Sequence, residues 1–349
     1  MNALTRMIAT SIFATTVCAT THAAGTTLAA VATSPVPAAT TSPAPPTSTL
    51  VGSEACRQPF ANYQEWIDFV HGLRAAHGES FDEQAFRAAR PPSIFAQLKQ
   101  GNIECRYIMY RSDGETVTGF VLRPAQSTAT PMPVIIFNRG GNRDFGRIVF
   151  ADLVDLAAWA DQGFIVLASQ YRGSSGSSGQ DEFGGADVHD VMNLIPLAQA
   201  MGGDVDNLFM AGFSRGAMMT LLALRQGARV KAAAVIGGAS DLQQLGSSRP
   251  EMLSLYRELM PGFAQHGKNL MRARSALSFA DQIDAPLLIL HGGADWRVPP
   301  AQALALAERL QSARKPYEMV IYAGDDHALT ANYADSRSRT LDWFRRHMK

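Results

Sequence analysis

Ser214 stands in the pentapeptide GFSRG, residues 212–216, and the flanks of this short motif give it chemical meaning. An apolar run at 208–211 precedes it, and a segment rich in Ala, Met and Leu follows as far as Leu224. A strand, a tight turn and a helix form the context in which G-x-S-x-G exposes a serine Oγ on a strained turn. The start of the helix adds N–H groups where an oxyanion would form. We therefore predict that Ser214 is a nucleophile, with a serine N-cap as the alternative.

A serine hydroxyl becomes a good nucleophile only when a neighbouring base takes its proton. His327 is the candidate base because it lies in the loop AGDDH, directly after the apolar run 317–322 that we predict to be a strand. Serine, acid and histidine follow one another along the chain in the order that G-x-S-x-G enzymes use. We therefore assign the base role, rather than a purely structural one, to His327.

The base in turn needs a carboxylate that fixes its tautomer and stabilises the imidazolium. Asp295 is the candidate acid, since it follows the apolar run 286–291 in the sequence GGAD. Asp325 and Asp326 are rival acids, but they stand so close to His327 in the chain that reaching its Nδ1 atom is difficult. We predict that these two residues shape the loop or cap the following helix.

Acyl transfer also needs two hydrogen-bond donors for the oxyanion of its tetrahedral intermediate. We predict the backbone N–H of Arg215, directly after the nucleophile, as the first donor. The second should come from the loop after the apolar strand PVIIFN, where Gly140 and Gly141 allow close backbone approach. Gly141 or Asn142 is the predicted donor. A tight turn with no binding role is the alternative, and a phosphate cradle is disfavoured because no Gly-Lys-Ser/Thr follows.

These candidates all follow predicted strands, which alternate with segments of helical periodicity. Strands are predicted at 131–138, 164–170, 208–211, 232–236, 286–291 and 317–322, with an antiparallel hairpin at 105–122. Helices are predicted at 62–76, 81–90, 146–160, 186–200, 215–224, 300–311 and 336–349. The alternation is typical of an α/β protein with a mostly parallel, doubly wound sheet that binds ligands at the carboxyl ends of its strands. A helical, cap-like insertion at about 241–281 is predicted to lie over the mouth of the site.

The first 50 residues differ in composition from the rest and carry one charged side chain, Arg6. Residues 1–24 combine this positive start with a mostly apolar middle and a final THAA, which indicates a secretory signal peptide. Thr and Ser interrupt the apolar run, so a membrane-spanning helix is disfavoured. Residues 25–50 consist largely of Ala, Thr, Ser and Pro, as is typical of a disordered linker. We expect an exported protein, periplasmic or secreted, without stable membrane insertion.

The remaining chain is divided here into a helical N-terminal segment, 51–104, and a catalytic domain, 105–349. Removal of the signal peptide would leave two cysteines, Cys56 and Cys105. An even number of cysteines in an exported chain predicts a disulfide between them. Two unpaired thiols are the alternative.

The overall charge gives no indication of a nucleic-acid or acidic partner. Lys and Arg together number 31 and Asp and Glu together number 31, so the formal net charge is 31 − 31 = 0. No Cys-x-x-Cys or Cys/His spacing typical of a zinc site is present, and we expect neither a metal nor a cofactor. The oligomeric state is left open.

Taken together, the motifs resemble the catalytic domain of the prolyl oligopeptidase family of serine peptidases, which have the α/β-hydrolase fold. The resemblance runs from about residue 112 to residue 349. It rests on SDG at 112–114, RGG at 139–141, YRGS at 171–174, Asp187 and Asp190, GFSRG at 212–216, HGGAD at 291–295, VP at 298–299, and DH at 326–327. The resemblance implies Ser214 as nucleophile, Asp295 as acid and His327 as base.

Two features depart from the pattern of that family. Arg139 stands where the family often has histidine, and residues 51–111 are too few and too helical for the β-propeller that gates those peptidases. Without a propeller, both short peptides and small acyl esters are open as substrates, with a peptidase favoured and a carboxylesterase as the alternative. A non-catalytic binding protein that kept the fold is the alternative from another class.

Four residues of the loops that follow predicted strands are predicted to contact the substrate: Arg139, Arg143, Tyr171 and Arg172. The three arginines would add positive charge near the mouth of the site, which favours an anionic or carboxylate-bearing substrate. The alternative is that they form ordinary ion pairs with neighbouring carboxylates.

Overall fold

The computed structural model describes residues 49–126 and 131–349. The predicted signal peptide and almost all of the predicted linker lie outside the described residues. Within the described part, the chain forms one nine-stranded sheet between two layers of helices. The predicted fold class, an α/β-hydrolase fold with a mostly parallel sheet, is confirmed.

The elements are named here in chain order. The strands are β1 Leu50–Ala55, β2 Ile103–Ser112, β3 Glu115–Pro124, β4 Met132–Asn138, β5 Ile165–Ser169, β6 Gly203–Phe213, β7 Ala232–Ile236, β8 Leu287–Gly292 and β9 Tyr317–Tyr322. The helices are α1 Tyr63–Ala76, α2 Glu83–Ala89, α3 Pro92–Gln100, α4 Phe150–Ala160, α5 Val188–Met192, α6 Leu194–Ala200, α7 Arg215–Arg225, α8 Leu242–Ser248, α9 Pro250–Leu259, α10 Phe263–Arg274, α11 Ala301–Ser312 and α12 Tyr333–His347.

The strands lie across the sheet in the order β1-β2-β3-β5-β4-β6-β7-β8-β9. Neighbours from β5 to β9 are parallel, whereas β1, β2 and β3 join the sheet by antiparallel pairing. The register aligns Asn138 of β4 with Gly212 of β6, and Gly212 with Val235 of β7. The loops that follow these strands therefore leave the sheet at the same edge.

The hairpin between β2 and β3 turns at Asp113 and Gly114, as the sequence predicts. Both residues have positive φ, 53° and 86°, and Ser112 pairs with Glu115 across the turn. Two consecutive positive φ angles define the type I′ geometry that matches the twist of a hairpin, and Asp-Gly tolerates it well. The hairpin thus extends the parallel sheet on one side.

Side chains of the central strands alternate between two hydrophobic cores. In β4, Val134 and Ile136 face one core, which also holds the buried face of α7. Ile135 faces the other core, where α4 and Phe344 of α12 pack. Because both faces are covered, the middle residues of the central strands form continuous apolar runs, such as Val134 to Phe137 in β4.

The N-terminal segment is tied to the edge of the sheet. Its first residues form β1, which pairs antiparallel with β2 and which the sequence analysis did not predict. The helices α1 and α2 confirm the two predicted there, and a further helix, α3, begins at Pro92. A disulfide joins Cys56 to Cys105, with their Cα atoms 5.4 Å apart, as predicted.

The insertion at 241–281 is helical, as predicted, and comprises α8, α9 and α10. It contacts the loop after β4 through an ion pair between Arg143 Nη2 and Glu258 Oε1 at 2.7 Å. It contacts the loop after β8 through Arg249 Nη1, which donates to the carbonyl of Arg297 at 2.8 Å. In residues 49–126 and 131–349, no helix is both long and apolar enough to cross a membrane.

Candidate active site

Ser214 occupies a sharp turn between the end of β6 and the start of α7. Its φ of 54° and ψ of −119° lie in a region that residues with a side chain rarely adopt. The flanking glycines are required by close contact: a Cβ on Gly212 would lie 2.2 Å from the carbonyl oxygen of Gly216. A Cβ on Gly216 would lie 1.8 Å from the carbonyl oxygen of Asn138. The turn therefore has the strand–elbow–helix form that the motif predicts.

The structure brings Ser214, His327 and Asp295 together in one hydrogen-bonded line. His327 Nε2 lies 3.0 Å from Ser214 Oγ, and His327 Nδ1 lies 2.7 Å from Asp295 Oδ2. The carboxylate is buried, and the imidazole is mostly buried. These distances fall within the hydrogen-bond range expected between a nucleophile, its base and the group that orients the base.

Asp295 is held in place by four hydrogen-bond donors. Its Oδ1 atom accepts from the backbone N–H groups of Arg297 and Val298, each at 2.9 Å. Its Oδ2 atom faces His327 and also lies 3.2 Å from His291 Nε2. Burial alone would raise the pKa of Asp295, but these hydrogen bonds and the nearby histidines hold it well below its usual range. The carboxylate is thus kept ionised beside the imidazole.

The rival acids are occupied in shaping the loop, as predicted. Asp325 accepts hydrogen bonds from the backbone N–H groups of Ala331 and Asn332, at 3.1 and 3.0 Å. Asp326 accepts from the backbone N–H of Thr330 at 3.0 Å and from its hydroxyl at 2.8 Å. Both carboxylates therefore organise the turn that leads from His327 to α12.

The loop after β4 lies against the nucleophile. A Cβ on Gly140 would lie 3.1 Å from the Cβ of Ser214. The carbonyl of Gly140 accepts a hydrogen bond from Arg139 Nη1 at 2.9 Å. Because a trans peptide directs its C=O and N–H to opposite sides, the N–H of Gly141 points away from that guanidinium. Asn142, the other predicted donor, lies one residue further along the chain.

The other predicted donor, the N–H of Arg215, belongs to the first residue of α7. N–H groups in the first turn of a helix have no partner within the helix. This N–H is therefore free of the helical ladder and stands next to Ser214 in the chain. The assignment of Arg215 as an oxyanion donor stays a prediction, as does that of Gly141 or Asn142.

Three of the four predicted substrate contacts are corrected by the structure. The side chains of Arg139, Tyr171 and Arg172 are buried, with 2 %, 0 % and 6 % of their surface exposed. Arg172 Nη2 pairs with Asp190 Oδ1 at 2.7 Å, and the Tyr171 hydroxyl donates to the carbonyl of Arg139 at 3.1 Å. Because the three side chains are buried and their polar groups have partners within the protein, they support the loops and do not contact a substrate.

Arg143 is the exception among these predictions, since its side chain is exposed at the mouth of the site and paired with Glu258 of α9. Phe145, in the same loop, and Trp296, beside Asp295, are also exposed, by 43 % and 57 %. An exposed arginine and two exposed rings therefore lie on the loops that carry the candidate residues.

The role of the Arg215 side chain was not predicted from the sequence. The guanidinium turns inward, where its Nη1 and Nη2 atoms each bind Asp181 at 2.7 Å and Nη2 also binds Asp187. Burial alone would lower the pKa of Arg215, but the two carboxylates raise it above its usual value. Asp181 and Asp187 belong to the glycine-rich segment 173–187. The presence of two carboxylates in such a segment was the signal in the sequence that could have indicated a buried partner for Arg215.

His291 was also missed, although it opens the segment HGGAD that contains Asp295. It is fully buried at the end of β8, and its Nε2 lies 2.7 Å from the carbonyl oxygen of Val298. No group of three or more His, Cys, Asp or Glu side chains in the described residues is arranged to hold a metal ion.

The comparison that decides the family is a match between residues 151–349 and the model of the prolyl oligopeptidase family, Peptidase_S9. This match covers more than half of the chain and contains Ser214, Asp295 and His327. The chain belongs to the prolyl oligopeptidase family. It is therefore a hydrolase of the serine peptidase type, and the resemblance seen in the sequence is confirmed.

Relatives of this prolyl oligopeptidase-family protein differ in length. Uncharacterized peptidase YtmA of Bacillus subtilis (strain 168) is 28 % identical over 222 residues, which are 63 % of this chain and 84 % of that protein. Pyrococcus horikoshii acylaminoacyl peptidase matches with a TM-score of 0.62 and 23 % identity, covering 73 % of this chain and 43 % of that one. An acetyl xylan esterase from Paenibacillus sp. R4 matches with a TM-score of 0.57 and 18 % identity, covering 69 % and 84 %.

The chain thus spans less than half of the acylaminoacyl peptidase but most of the two smaller proteins. Residues 49–104, which precede most of the sheet, form one edge strand and three helices. No propeller is present in the part of the family member that the structure describes.

Proposed function

We propose that this family member is a serine hydrolase that cleaves short peptides or small acyl esters through an acyl-enzyme on Ser214. The observation that carries the proposal is the position of His327, whose two ring nitrogens lie 3.0 Å from Ser214 Oγ and 2.7 Å from Asp295 Oδ2. A base placed between a nucleophile and an orienting carboxylate is the arrangement that acyl transfer by serine requires.

In the first half-reaction, Ser214 Oγ attacks the substrate carbonyl carbon while its proton passes to His327 Nε2. Asp295 stabilises the imidazolium that results. The tetrahedral intermediate collapses when its bond to the leaving group breaks and His327 gives the proton to the leaving nitrogen or oxygen. Water then repeats the sequence: it loses a proton to His327, attacks the acyl carbon and releases the acid with restoration of the Ser214 hydroxyl.

The negative oxygen of each intermediate would be bound by the N–H groups of Arg215 and Gly141. Two observations support this assignment: the Arg215 N–H lies outside the helical ladder, and the Gly140–Gly141 peptide packs against Ser214. Donors fixed before the reaction stabilise developing charge without reorganisation, and loss of one costs about 10²- to 10³-fold in kcat.

A fluorophosphonate probe tests this proposal directly, because its phosphorus reacts with an activated serine oxygen and releases fluoride. We expect stoichiometric labelling of the wild type at Ser214, confirmed by peptide mass spectrometry. Ser214→Ala should abolish the labelling, whereas Ser254→Ala on α9, whose hydroxyl donates to the carbonyl of Pro250 at 3.3 Å, should leave it intact. A folded wild type that stays unlabelled would indicate a binding protein without catalytic activity.

Peptide and ester substrates are distinguished by the leaving group. Family membership favours peptides, and the absence of a propeller in the described residues favours the small acyl esters. An acyl ester and the anilide of the same acyl group should be compared by kcat/KM on one preparation. A peptidase should hydrolyse the anilide with a kcat/KM comparable to that for the ester. Turnover of the ester alone would assign a carboxylesterase.

We further propose that the protein acts outside the cytoplasm. Support comes from the composition of residues 1–24 and from the Cys56–Cys105 disulfide, a bond that persists in oxidising compartments. N-terminal sequencing of protein recovered from a fractionated host should give a mature chain that starts near Ala24. Recovery of an unprocessed chain from the cytoplasm would contradict the proposal.

A further inference from the structure

The guanidinium of Arg139 is buried directly beneath the loop that flanks Ser214. Its Nη1 atom donates to the carbonyl of Gly140 at 2.9 Å, and Nη2 donates to the carbonyl of Arg143 at 2.7 Å. Nε donates to the carbonyl of Gln170 at 3.1 Å, and Nη2 also reaches Ser174 Oγ at 2.9 Å. The side chain therefore connects both ends of the turn 140–143 to the end of β5.

The charge on Arg139 has no carboxylate partner at ion-pair distance within the described residues, unlike the charge on Arg215, which binds Asp181 and Asp187. Burial lowers the pKa of Arg139 to about 10, so the side chain remains a cation at neutral pH. An unpaired buried charge is costly, and residues of this kind cluster at functional sites.

We propose that Arg139 is a positioning residue that holds and polarises the Gly140–Gly141 peptide, so that the Gly141 N–H binds the oxyanion formed at Ser214. This inference rests on the proposed acyl transfer. The guanidinium polarises the Gly140 carbonyl. This makes the N–H of Gly141, which belongs to the same peptide group, a stronger hydrogen-bond donor. The unpaired positive charge behind the peptide also stabilises the negative oxygen in front of it.

A second guanidinium holds the next carbonyl of the loop. Arg215 Nη1 donates to the carbonyl of Gly141 at 3.1 Å. Both guanidinium groups lie over the ring of Tyr171, whose centre is 4.9 Å from Cζ of Arg139 and 5.2 Å from Cζ of Arg215. The carbonyls of Gly140 and Gly141 are thus each held by a buried arginine. The loop therefore has little freedom to turn the Gly141 N–H away from Ser214.

Only arginine meets these demands at position 139. Its rigid fork presents five donors, and here they reach several acceptors of one loop, whereas lysine offers a point charge with three donors. A neutral side chain of similar size would leave the carbonyls of Gly140 and Arg143 without this partner. Histidine has only two ring nitrogens and could not make the same set of bonds.

Arg274 provides a matched control. Its side chain is also buried, with 6 % of its surface exposed against 2 % for Arg139. Its Nε atom donates to the carbonyl of Phe183 at 2.8 Å and its Nη1 to that of Leu270 at 3.2 Å. It makes no hydrogen bond to residues 140–143 among those observed. Arg139→Met and Arg274→Met therefore each remove a buried guanidinium that binds main-chain carbonyls, but only Arg139→Met releases the loop beside Ser214.

The test uses the full chain, a short-chain acyl ester and a boronic acid that forms a tetrahedral adduct with Ser214. Arg139→Met should lower kcat by about 10- to 100-fold with KM changed less than about threefold, and boronate affinity should fall in parallel with kcat/KM. Arg139→Lys should recover part of the loss. Arg274→Met should lower the melting temperature but keep kcat within about threefold.

Equal losses of kcat in Arg139→Met and Arg274→Met would overturn the inference, as would a rise in KM with kcat unchanged. If Arg139→Met does not fold, Arg139→Lys decides: full activity in that variant would also overturn the inference, because the fork geometry would then be dispensable. The proposed acyl transfer fails separately, by the absence of fluorophosphonate labelling in the wild type.

Discussion

His291 Nε2 lies 3.2 Å from Asp295 Oδ2, the same oxygen that binds His327 Nδ1. The ring of His291 is fully buried at the end of β8, so it fixes the carboxylate from the sheet side. The carbonyl of Val298, 2.7 Å from the same nitrogen, requires that Nε2 carries the proton. Asp295 is thereby directed toward His327 before any substrate binds.

The lowered pKa of Asp295 predicts how stability depends on pH. A carboxyl group whose folded-state pKa lies below its unfolded value stabilises the fold above the unfolded pKa and loses that effect as pH falls. We therefore expect acidification from about pH 6 to about pH 3 to lower the melting temperature of the wild type more than that of Asp295→Asn. Thermal unfolding of both proteins over this range measures the difference, and parallel curves would contradict the prediction.

Gly216 is predicted to be indispensable for folding of the elbow. A Cβ there would lie 1.8 Å from the backbone oxygen of Asn138, which cannot move without disrupting β4. Gly216→Ala should lower the free energy of unfolding by about 3 kcal/mol or more. Gly72→Ala, in α1 with no atom within 4 Å of the added Cβ, should instead raise it by about 0.5–1 kcal/mol. Urea unfolding of the two variants checks the opposite signs.

The disulfide is expected to contribute substantially to stability. Cys56 and Cys105 are separated by 49 residues, and the chain-entropy model gives about 4 kcal/mol for a loop of that length. The double variant Cys56→Ser with Cys105→Ser should unfold at lower urea concentration, and reductant should shift only the wild type. Equal midpoints with and without reductant would show that the bond is absent or without effect.

Arg172 and Arg143 should respond differently to the same change. Arg172→Met leaves the buried carboxylate of Asp190 without its ion-pair partner and should lower the free energy of unfolding by about 3–5 kcal/mol. Arg143→Met breaks only the exposed pair with Glu258 and should change it by less than about 1 kcal/mol. If Arg143 contacts substrate, its variant should instead raise KM for acidic substrates relative to neutral ones.

The central fold was predictable because its signals are local. Strands buried on both faces appear as short apolar runs, and β7 and β9 coincide with the runs 232–236 and 317–322. Ser214, Asp295 and His327 each follow such a run, so the topology of a parallel sheet was enough to place them at one edge. The distances between these three side chains could be obtained only from the structure.

The missed elements have physical explanations. The strand β1, with sequence LVGSEA, lies at the sheet edge and is largely exposed, so it shows neither an apolar run nor clear alternation. The helix α3 was not predicted because it begins at Pro92; proline is tolerated at the first position of a helix, where its missing N–H has no partner. The single helix predicted at 186–200 is divided at Asn193 into α5 and α6.

The buried arginines could not be recognised from residue type alone. Charge suggests exposure, and the partners of Arg139 are mainly backbone carbonyls, which leave no pattern in the sequence. The pairing of Arg172 with Asp190 joins residues 18 positions apart across a loop, which periodicity does not reveal. Positive charge near the mouth was therefore overestimated, and Arg143 alone of the predicted contacts stays exposed.

The backbone angles of Ser214 set stability and reactivity against each other. Glycine would adopt a φ of 54° with less strain than serine does, so Ser214→Gly is expected to give a more heat-resistant but inert protein. Any screen that rewards thermal tolerance alone would therefore tend to discard the hydroxyl. Engineering of this enzyme for robustness has to select for turnover at the same time.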